Sequence, residues 1–375
     1  MKIQFFKNDL MNAINTAARA VSSKTTMPIL ECLLITATDD GAFILANDLE
    51  LGIETRISAD RCKCLEPGVI AVEAKLFGDI IRKISSDDSA EILISSDGSL
   101  VEISAESSLF RIQEKDPDQF PELPKINEQK YISVSQFTLK EVIRDTIFSI
   151  AVNDSNRMMT GELFEVKDDN LRVISLDGHR ISVKNTKLKA SYENISAIIP
   201  GKTLNEISRI LSGEADREVL IFFDENYVCF RFEETVMVSR LIDGEFFRID
   251  SMLSNDYETR LTANKKELLS GIEKASILIS ESDKKPLVFK ITDNSLNLRV
   301  NSQAGSLDAV LNVEKAGKDL MIAFNPKFLL DALRVIDDEV VNLYMTGSKY
   351  PCFIRDEENS YIYLILPVNF NPQAY

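Results

Sequence analysis

The segment K-T-L-N-E-I-S-R-I-L, residues 202–211, has the pattern of an amphipathic helix, and two further copies of it occur in this chain. They are K-L-F-G-D-I-I-R-K-I at 75–84 and K-F-L-L-D-A-L-R-V-I at 327–336. Each copy opens with lysine, has a carboxylate four residues later and an arginine seven residues later. The copies start 127 and 125 residues apart, so the chain is predicted to contain three variants of one unit.

In a helix, the positions two, five and nine residues after the lysine lie on one side. They are all apolar: Phe77, Ile80, Ile84, Leu204, Ile207, Leu211, Leu329, Ala332 and Ile336. That side is predicted to be buried, which turns the lysine and the arginine of each copy outward. Two interpretations of these cations remain open. They form a face that binds a polyanion, or they form ion pairs with the carboxylate of their own helix, worth a few tenths of a kcal/mol each.

A second set of matching positions supports the repeat. Leucines at 10, 139 and 268 and isoleucines at 14, 143 and 272 recur at intervals of 129 residues, inside helices predicted at 8–21, 138–150 and 265–279. Strand-like runs joined by turns such as T-D-D-G separate these helices from the lysine helices. The predicted fold class is α+β, with two helices on antiparallel sheet in each of three tandem domains, at 1–122, 130–248 and 258–375.

Open sheets at the ends of such units have unpaired edges, which a protein must cover, pair or close. Three like units form an arc, and a second copy added head to tail completes a ring if the rotation closes. In such a ring the helices line one surface, and the outward cations face a common hole.

Composition restricts the function. The chain has 43 Lys+Arg against 59 Asp+Glu, a net charge of −16, so any polyanion site must be local. Its five cysteines are odd in number and mostly lie in apolar runs, as expected for reduced thiols. Cys62 and Cys64 have no accompanying Cys or His pair, so no metal site is predicted. No signal peptide or membrane-spanning run is found, and we expect a soluble cytoplasmic protein without a cofactor.

Two other functions compete with this interpretation. An enzyme would have to rely on Asp177 and on His179, which is the only histidine, and no nucleophile motif, phosphate loop or dinucleotide fingerprint accompanies them. We therefore expect no catalytic activity. A monomeric peptide-binding adaptor would keep a docking pocket without a ring, and native mass distinguishes it from a ring.

Five segments carry a resemblance to a known family: M-P-I-L at 27–30, M-T-G-E-L-F-E at 159–165, D-G-H-R at 177–180, L-I-D-G-E-F at 241–246 and Y-L-I-L-P-V at 363–368. Over nearly its whole length the chain resembles the bacterial DNA polymerase III beta subunit, the replicative sliding clamp. The resemblance implies a ring-shaped homodimer of six domains around duplex DNA. It also implies a processivity factor that tethers the replicative polymerase and is loaded by an ATPase in the nucleoid-associated cytoplasm.

The resemblance implies three groups of site residues, each competing with a structural interpretation. The DNA-facing group competes with solvated surface charge and comprises Lys24, Lys75, Arg82, Asn153, Arg157, Lys202, Arg209, Lys327 and Arg334. The peptide pocket competes with core packing and comprises Met159, Leu176, Gly178, His179, Arg180, Ile181, Phe247, Met252, Leu364, Ile365, Leu366, Pro367, Val368 and Asn369. The dimer interface competes with burial inside the monomer and comprises Phe110, Ile112, Ile277 and Leu278.

The aliphatic members would form the walls of the pocket, with Arg180 and backbone groups fixing the orientation of a peptide. The docking partners implied are the polymerase, the clamp loader and repair proteins, through short linear motifs. Phe247 and Asn369 depart from the residues common in the family, which predicts a shifted motif preference.

Overall fold

The computed structural model of the chain describes residues 1–22, 24–152, 155–279 and 285–374. Across these ranges the fold is α+β, as predicted, and every strand pair is antiparallel. The α-helices there are α1 (Lys7–Ala17), α2 (Ala74–Lys83), α3 (Gln136–Thr146), α4 (Gly201–Ile210), α5 (Lys265–Ser276) and α6 (Pro326–Val335).

The strands fall into two groups by chain position. Those before residue 160 are β1 (Lys2–Phe6), β2 (Cys32–Thr38), β3 (Gly41–Asn47), β4 (Leu51–Ser58), β5 (Cys62–Glu66), β6 (Gly68–Glu73), β7 (Glu91–Ser96), β8 (Leu100–Ala105), β9 (Ser108–Gln113) and β10 (Tyr131–Ser135). The later ones are β11 (Gly161–Leu176), β12 (Arg180–Pro200), β13 (Glu218–Phe223), β14 (Tyr227–Phe232), β15 (Thr235–Arg240), β16 (Thr259–Asn264), β17 (Leu287–Thr292), β18 (Ser295–Ser302), β19 (Gly305–Asn312), β20 (Glu314–Gly317), β21 (Leu320–Phe324), β22 (Val340–Met345), β23 (Cys352–Arg355) and β24 (Tyr361–Ile365).

The three lysine helices are confirmed. Helices α2, α4 and α6 each begin and end one residue before the predicted bounds. All nine positions of the predicted apolar stripe are buried. Helices α1, α3 and α5 end earlier than predicted. In α1 and α3 the reason is that the last turns tighten into 3₁₀ helices at Ala18–Ala20 and Ile147–Ser149.

Three strands differ from what local composition predicts, because pairing with a neighbouring strand overrides it. The composition of residues 163–167 and 171–175 predicts two separate strands, but both belong to β11, which stays continuous through irregular pairing around Asp168, a residue with φ of 54°. Local composition predicts that the strand beginning at Arg180 ends at Val183. It continues to Pro200 because its polar second half pairs with the first half of β11. Strand β5 was not predicted, and it forms by pairing with β1.

The chain forms two compact units. The first unit comprises Met1–Leu139 and Asn205–Leu241. Its sheets have the strand orders β5-β1-β7-β8-β9 and β10-β13-β14-β15-β4-β3-β2-β6. In the second of these sheets, β15 of the second repeat pairs with β4 of the first, with Met237 opposite Ile53. A sheet therefore runs from one sequence repeat into the next.

The second unit comprises Lys140–Leu204 and Ile242–Tyr375. Its sheets have the strand orders β11-β12-β24-β23-β22-β16-β20 and β19-β18-β17-β21. Strand β24 of the third repeat pairs with β12 of the second, with Tyr363 opposite Ser182. The same kind of junction thus occurs in each unit, and for this reason the compact units divide the second repeat between them.

None of the helices in the described ranges has the length and apolar character that crossing a bilayer requires.

Candidate functional sites

An apolar cluster in the second unit contains five of the fourteen predicted pocket residues. Its buried members are Leu163, Ile174, Leu176, Ile181, Val183, Ile198, Phe246, Ile249, Phe353 and Leu364. Partly exposed side chains packed on it are Met158, Met159, Ile242, Phe247, Leu253, Tyr344 and Ile362. The structure therefore brings together side chains from three distant segments, around 158–198, 242–253 and 344–364. Partly exposed apolar side chains over a buried apolar floor are suited to contact a peptide side chain.

A tight turn, Asp177–Arg180, lies next to this cluster. Asp177 Oδ1 accepts hydrogen bonds from the backbone N–H groups of His179 and Arg180, at 3.0 and 3.1 Å. Gly178 has φ of 83°, in the left-handed region that favours glycine. The first repeat has the same turn at 48–51, with Asp48 as the acceptor and Leu49 at φ of 75°. The D-G-H-R segment is therefore a variant of a turn found in more than one repeat.

Arg180 is 6% exposed, and its guanidinium is enclosed by groups of the chain itself. Nε donates to Asp177 at 2.9 Å, Nη1 donates to Asp331 at 2.7 Å, and Nη2 donates to the carbonyl of Phe148. The rings of Phe328 and Phe148 lie 4.6 and 5.4 Å from the guanidinium carbon. Its predicted role, a direct polar contact that orients a peptide, does not fit this burial. The guanidinium instead holds the turn.

His179 is exposed and projects from the same turn. Its imidazole stacks on the ring of Phe328, with centroids 5.9 Å apart and an interplanar angle of 18°. Its carbonyl accepts the N–H of Leu366 at 2.9 Å, which joins the turn to the carboxyl-terminal segment. His179 is thus the exposed polar side chain of the turn.

The carboxyl-terminal residues divide between two sides of the sheet. Leu364 packs in the apolar cluster, whereas the side chain of Ile365 lies in the core of the third repeat, because successive strand residues face opposite ways. Ile365 therefore contributes its backbone and not its side chain to this region. Leu366 and Asn369 are exposed, and Pro367 and Val368 are half-buried. The exposed Met252 ends a 3₁₀ helix at Asp250–Met252.

Among the partly exposed members of the cluster, five were missed from the sequence: Met158, Ile242, Leu253, Tyr344 and Ile362. A signal for Met158 exists in retrospect. Gly244 has φ of 131°, and a Cβ atom there would lie 2.9 Å from the sulfur of Met158. The glycine of the L-I-D-G-E-F segment therefore allows the connector to pass close over Met158.

The lysines and arginines of α2, α4 and α6 are all exposed, as predicted. Two arginines also pair within their own helix: Arg82 with Asp79 at 2.7 Å and Arg209 with Glu206 at 3.0 Å. The third arginine, Arg334, pairs instead with Glu273 of α5 at 3.0 Å. The intrahelical interpretation thus holds for two copies and is wrong for the third, where the carboxylate binds Arg180.

The other predicted DNA-facing residues lie in connecting segments. Lys24 and Arg157 are exposed, and Arg157 begins the 3₁₀ helix Arg157–Thr160. Asn153 lies outside the described residues.

The four predicted dimer-interface residues differ in exposure. Phe110 on β9 is 39% exposed, and Ile277, just after α5, is 81% exposed. Ile112 is 8% exposed and is therefore already packed inside its unit, and Leu278 is half-buried against the core of the third repeat. Strands β9 and β19 lie at sheet edges and lack a second partner strand in the described part of the chain. Each presents unpaired backbone groups along one side.

Glu162 on β11 is fully buried, and neither of its carboxyl oxygens has a hydrogen-bond partner among the described residues. Burial raises the pKa of Glu162 well above its usual range. The hydroxyl of Thr146 lies beside it, but that hydroxyl donates to the carbonyl of Val142 at 2.7 Å. The neutral acid fits this site, because its O–H can donate to the hydroxyl oxygen of Thr146.

Within residues 1–22, 24–152, 155–279 and 285–374, no group of three or more His, Cys, Asp or Glu side chains is placed to hold a metal ion.

Three repeats of two helices on antiparallel sheet, with sheets that continue across the repeat junctions, define the DNA-clamp class of fold.

Comparison with known proteins identifies the family. Models of the DNA polymerase III beta subunit match residues 1–124 (N-terminal domain), 133–247 (central domain) and 250–369 (C-terminal domain). The chain is 30% identical over 380 residues to the beta sliding clamp of Bacillus subtilis (strain 168), covering 98% of this chain and 99% of the relative. The chain therefore belongs to the DNA polymerase III beta subunit family, the beta sliding clamps.

Solved structures agree with this assignment. A DNA polymerase III beta subunit from Eubacterium rectale has a TM-score of 0.95 and 50% identity, covering 99% of this chain and 100% of that chain. The DNA polymerase sliding clamp of Bacillus subtilis also has a TM-score of 0.95, with 29% identity and the same coverage.

Proposed function

We propose that two copies of this chain form a ring around duplex DNA, tether the replicative polymerase and dock loader and repair proteins through short peptide motifs. In this proposal the chain is a non-catalytic processivity factor without a cofactor and acts in the cytoplasm at the nucleoid. Its domains are 1–122, 130–248 and 258–375.

The observation that carries the proposal is the pairing at the two repeat junctions. Met237 lies opposite Ile53 in one junction and Tyr363 lies opposite Ser182 in the other, and all four residues are buried. Strand β9 of the first repeat is equivalent in position to β15 of the second repeat. Strand β19 of the third repeat is equivalent in position to β4 of the first repeat. Both β9 and β19 lie at sheet edges.

The strand register of the internal junctions can be applied to the pairing of β9 with β19 of a second copy. When the equivalent hairpins of the repeats are aligned, Phe110 takes the position of Met237 and Leu307 takes the position of Ile53. Pairing of β9 with β19 of a second copy in the same register therefore sets Phe110 opposite Leu307. Phe110 is 39% exposed and Leu307 is half-buried, whereas their counterparts at the internal junctions are buried. A ring of two copies would contain two such interfaces, and burying each apolar side chain would contribute roughly 1.5–3 kcal/mol.

Sedimentation velocity tests this dimer. Phe110→Asp places a charge in the interface and should give monomers with an unchanged circular-dichroism spectrum. Leu65 on β5 is similarly exposed at the opposite edge of the same sheet, so Leu65→Asp should remain dimeric. A Phe110→Asp protein that sediments as the wild-type dimer would reject the interface.

Electrostatics supports a loose, sequence-independent contact with DNA. With a net charge of −16, the chain offers positive charge only locally, and the arginines of α2, α4 and α6 share their charge with carboxylates. Such contacts hold phosphates without reading bases and weaken steeply with salt.

Retention on plasmid tests encirclement. The loaded protein should stay on nicked circular plasmid and leave after linearisation, and Lys75→Glu with Lys327→Glu should shorten retention. Lys349→Glu, which changes an exposed lysine outside these helices, should leave it unchanged. Equal retention on circular and linear plasmid would reject a ring.

A peptide-docking role for the apolar cluster is supported by partly exposed Met159 and Phe247 over its buried floor. We include peptide docking in the proposed function because side chains from distant segments of the chain form one surface in this region.

A further inference from the structure

The carboxylate of α6 differs in its contacts from the carboxylates at the same position of the two other lysine helices. Asp79 pairs with Arg82 and Glu206 pairs with Arg209, each three residues later in its own helix, and Glu206 also pairs with the distant Arg19 at 2.9 Å. Asp331 instead accepts a hydrogen bond from Arg180 at 2.7 Å, across 151 positions of sequence. The repeat has thus kept the residue type and changed its partner.

We propose that Asp331 is a positioning residue for peptide docking: it holds Arg180, and through Arg180 it holds the Asp177–Arg180 turn and the carboxyl-terminal segment in the conformation that accepts a peptide. The inference rests on the proposed docking function and assigns a control element to it. Asp331 itself contacts no peptide.

The contacts of Arg180 form a continuous path. One carboxylate, Asp177, caps the turn with Oδ1 and binds Nε of Arg180 with Oδ2. Asp331 binds the other side of the guanidinium, so the cation joins the turn to α6. Arg180 also lies opposite Ile365 in the pairing of β12 with β24, and the next residue, Leu366, donates to His179. The position of Arg180 is therefore coupled to both segments that border the pocket.

Helix α6 holds the turn with a second side chain. Phe328, one helical turn before Asp331, stacks on the imidazole of His179 and covers the guanidinium of Arg180. A ring and a carboxylate on one face of α6 thus hold two consecutive residues of the turn. Lys327 and Arg334 of the same helix are exposed.

The first repeat contains the same turn without an equivalent of the Arg180–Asp331 ion pair. There, the position of Arg180 is taken by Leu51, which is buried and apolar, and the helix carboxylate at that junction, Glu206 of α4, pairs with Arg209 and Arg19 instead. Both turns keep the aspartate cap. The cap alone therefore suffices to form the turn, and the Arg180–Asp331 pair is an addition of the second junction.

Removing the Asp331 carboxylate would leave the buried guanidinium of Arg180 with one carboxylate fewer. Loss of one partner of a buried ion pair is strongly destabilising. The guanidinium is then expected to move toward water, and the turn and Leu366 would move with it. We expect Asp331→Asn to weaken peptide binding at least tenfold, with Asp331→Glu recovering part of the loss because it restores the charge.

The test combines binding with a structural reporter. Binding is measured by anisotropy of a fluorescein-labelled peptide, Gly-Leu-Ser-Leu-Phe-amide, whose apolar side chains suit the cluster. The reporter is the imidazole Cε1–H signal of His179, which is unique because the chain has one histidine. The matched control is Asp79→Asn, which removes the carboxylate at the same position of α2.

The expected result is a tenfold or larger loss of affinity and a shifted imidazole signal in Asp331→Asn, with neither change in Asp79→Asn. Binding within twofold of wild type together with an unshifted signal would overturn the proposal. If Asp331→Asn does not fold, Phe328→Leu takes its place, since it removes the stacking and leaves the ion pair. It should shift the imidazole signal and weaken binding, and the absence of both effects would overturn the proposal.

The design separates this inference from the docking function. If wild type binds no peptide while Asp331→Asn still shifts the imidazole signal, the docking function fails and the Asp331–Arg180 coupling stands. If wild type binds and the variant binds equally well, docking stands and the positioning role fails.

Discussion

Replacing Glu162 should make the protein more stable at neutral pH and change how its stability depends on pH. The carboxyl is fully buried and its oxygens lack hydrogen-bond partners in the described ranges, so burial raises its pKa. A carboxyl with a higher pKa in the folded than in the unfolded chain binds its proton more tightly when folded. Its contribution to stability is therefore greatest below the unfolded pKa of about 4.3 and is lost as the pH rises.

The magnitude follows from linkage. For every pH unit over which Glu162 stays protonated in the folded chain and ionised in the unfolded chain, the free energy of unfolding falls by about 1.4 kcal/mol. Between pH 5.5 and 7.5 the wild type should therefore lose up to about 2.7 kcal/mol more than Glu162→Gln, which does not titrate. Glu162→Met, which also removes the polar group, should be more stable than wild type at pH 7.5 by about 1–3 kcal/mol.

Urea denaturation followed by circular dichroism at several pH values measures this difference, since the chain has no tryptophan to report by fluorescence. Glu165→Gln is the matched control, because Glu165 lies on the same strand, is partly exposed and pairs with Arg172 at 3.5 Å. It should leave the pH dependence near that of wild type. Parallel pH profiles for wild type and Glu162→Gln would refute the reasoning.

Three further outcomes are expected. Gly41→Ala should lower the free energy of unfolding by about 2 kcal/mol in urea titration, because φ at this position is 130° and a Cβ atom would lie 2.3 Å from a backbone oxygen; an unchanged midpoint would contradict this. Maleimide labelling followed by mass spectrometry should modify half-buried Cys64 before Cys352, where burial raises the pKa of the thiol, and the reverse order would be inconsistent with the fold. Tyr361→Phe removes a hydroxyl that donates to Asp338 at 2.8 Å and should cost about 1 kcal/mol in the same titration, whereas a gain would show that the bond is not stabilising.

The repeat and its helices were predictable because both depend on local periodicity. A helix buries every third or fourth residue, so the positions of Phe77 and Ile80 are decided by the segment that contains them. Three copies of the same pattern also remove ambiguity about where a helix starts. For this reason α2, α4 and α6 lie within one residue of their predicted bounds.

Features that depend on a distant partner were not predictable. The polar second half of β12 is a strand because β11 lies beside it, and β5 is a strand because β1 does. Asp331 looks identical in pattern to Asp79, and only the fold shows that its partner is Arg180. Periodicity likewise does not distinguish exposed Phe110 from buried Ile112, which share one face of β9.

The pairing of β24 with β12 has a consequence for synthesis of the chain. The first residues of β12 need a partner that ends at Ile365, so this edge stays open until residue 365 has been made. At about 5–20 residues per second, the wait is on the order of ten seconds or more, during which an apolar hairpin edge is available to other nascent chains. The strand carries Lys184 within the waiting stretch, and a charge at that position discourages mispairing until the native partner emerges.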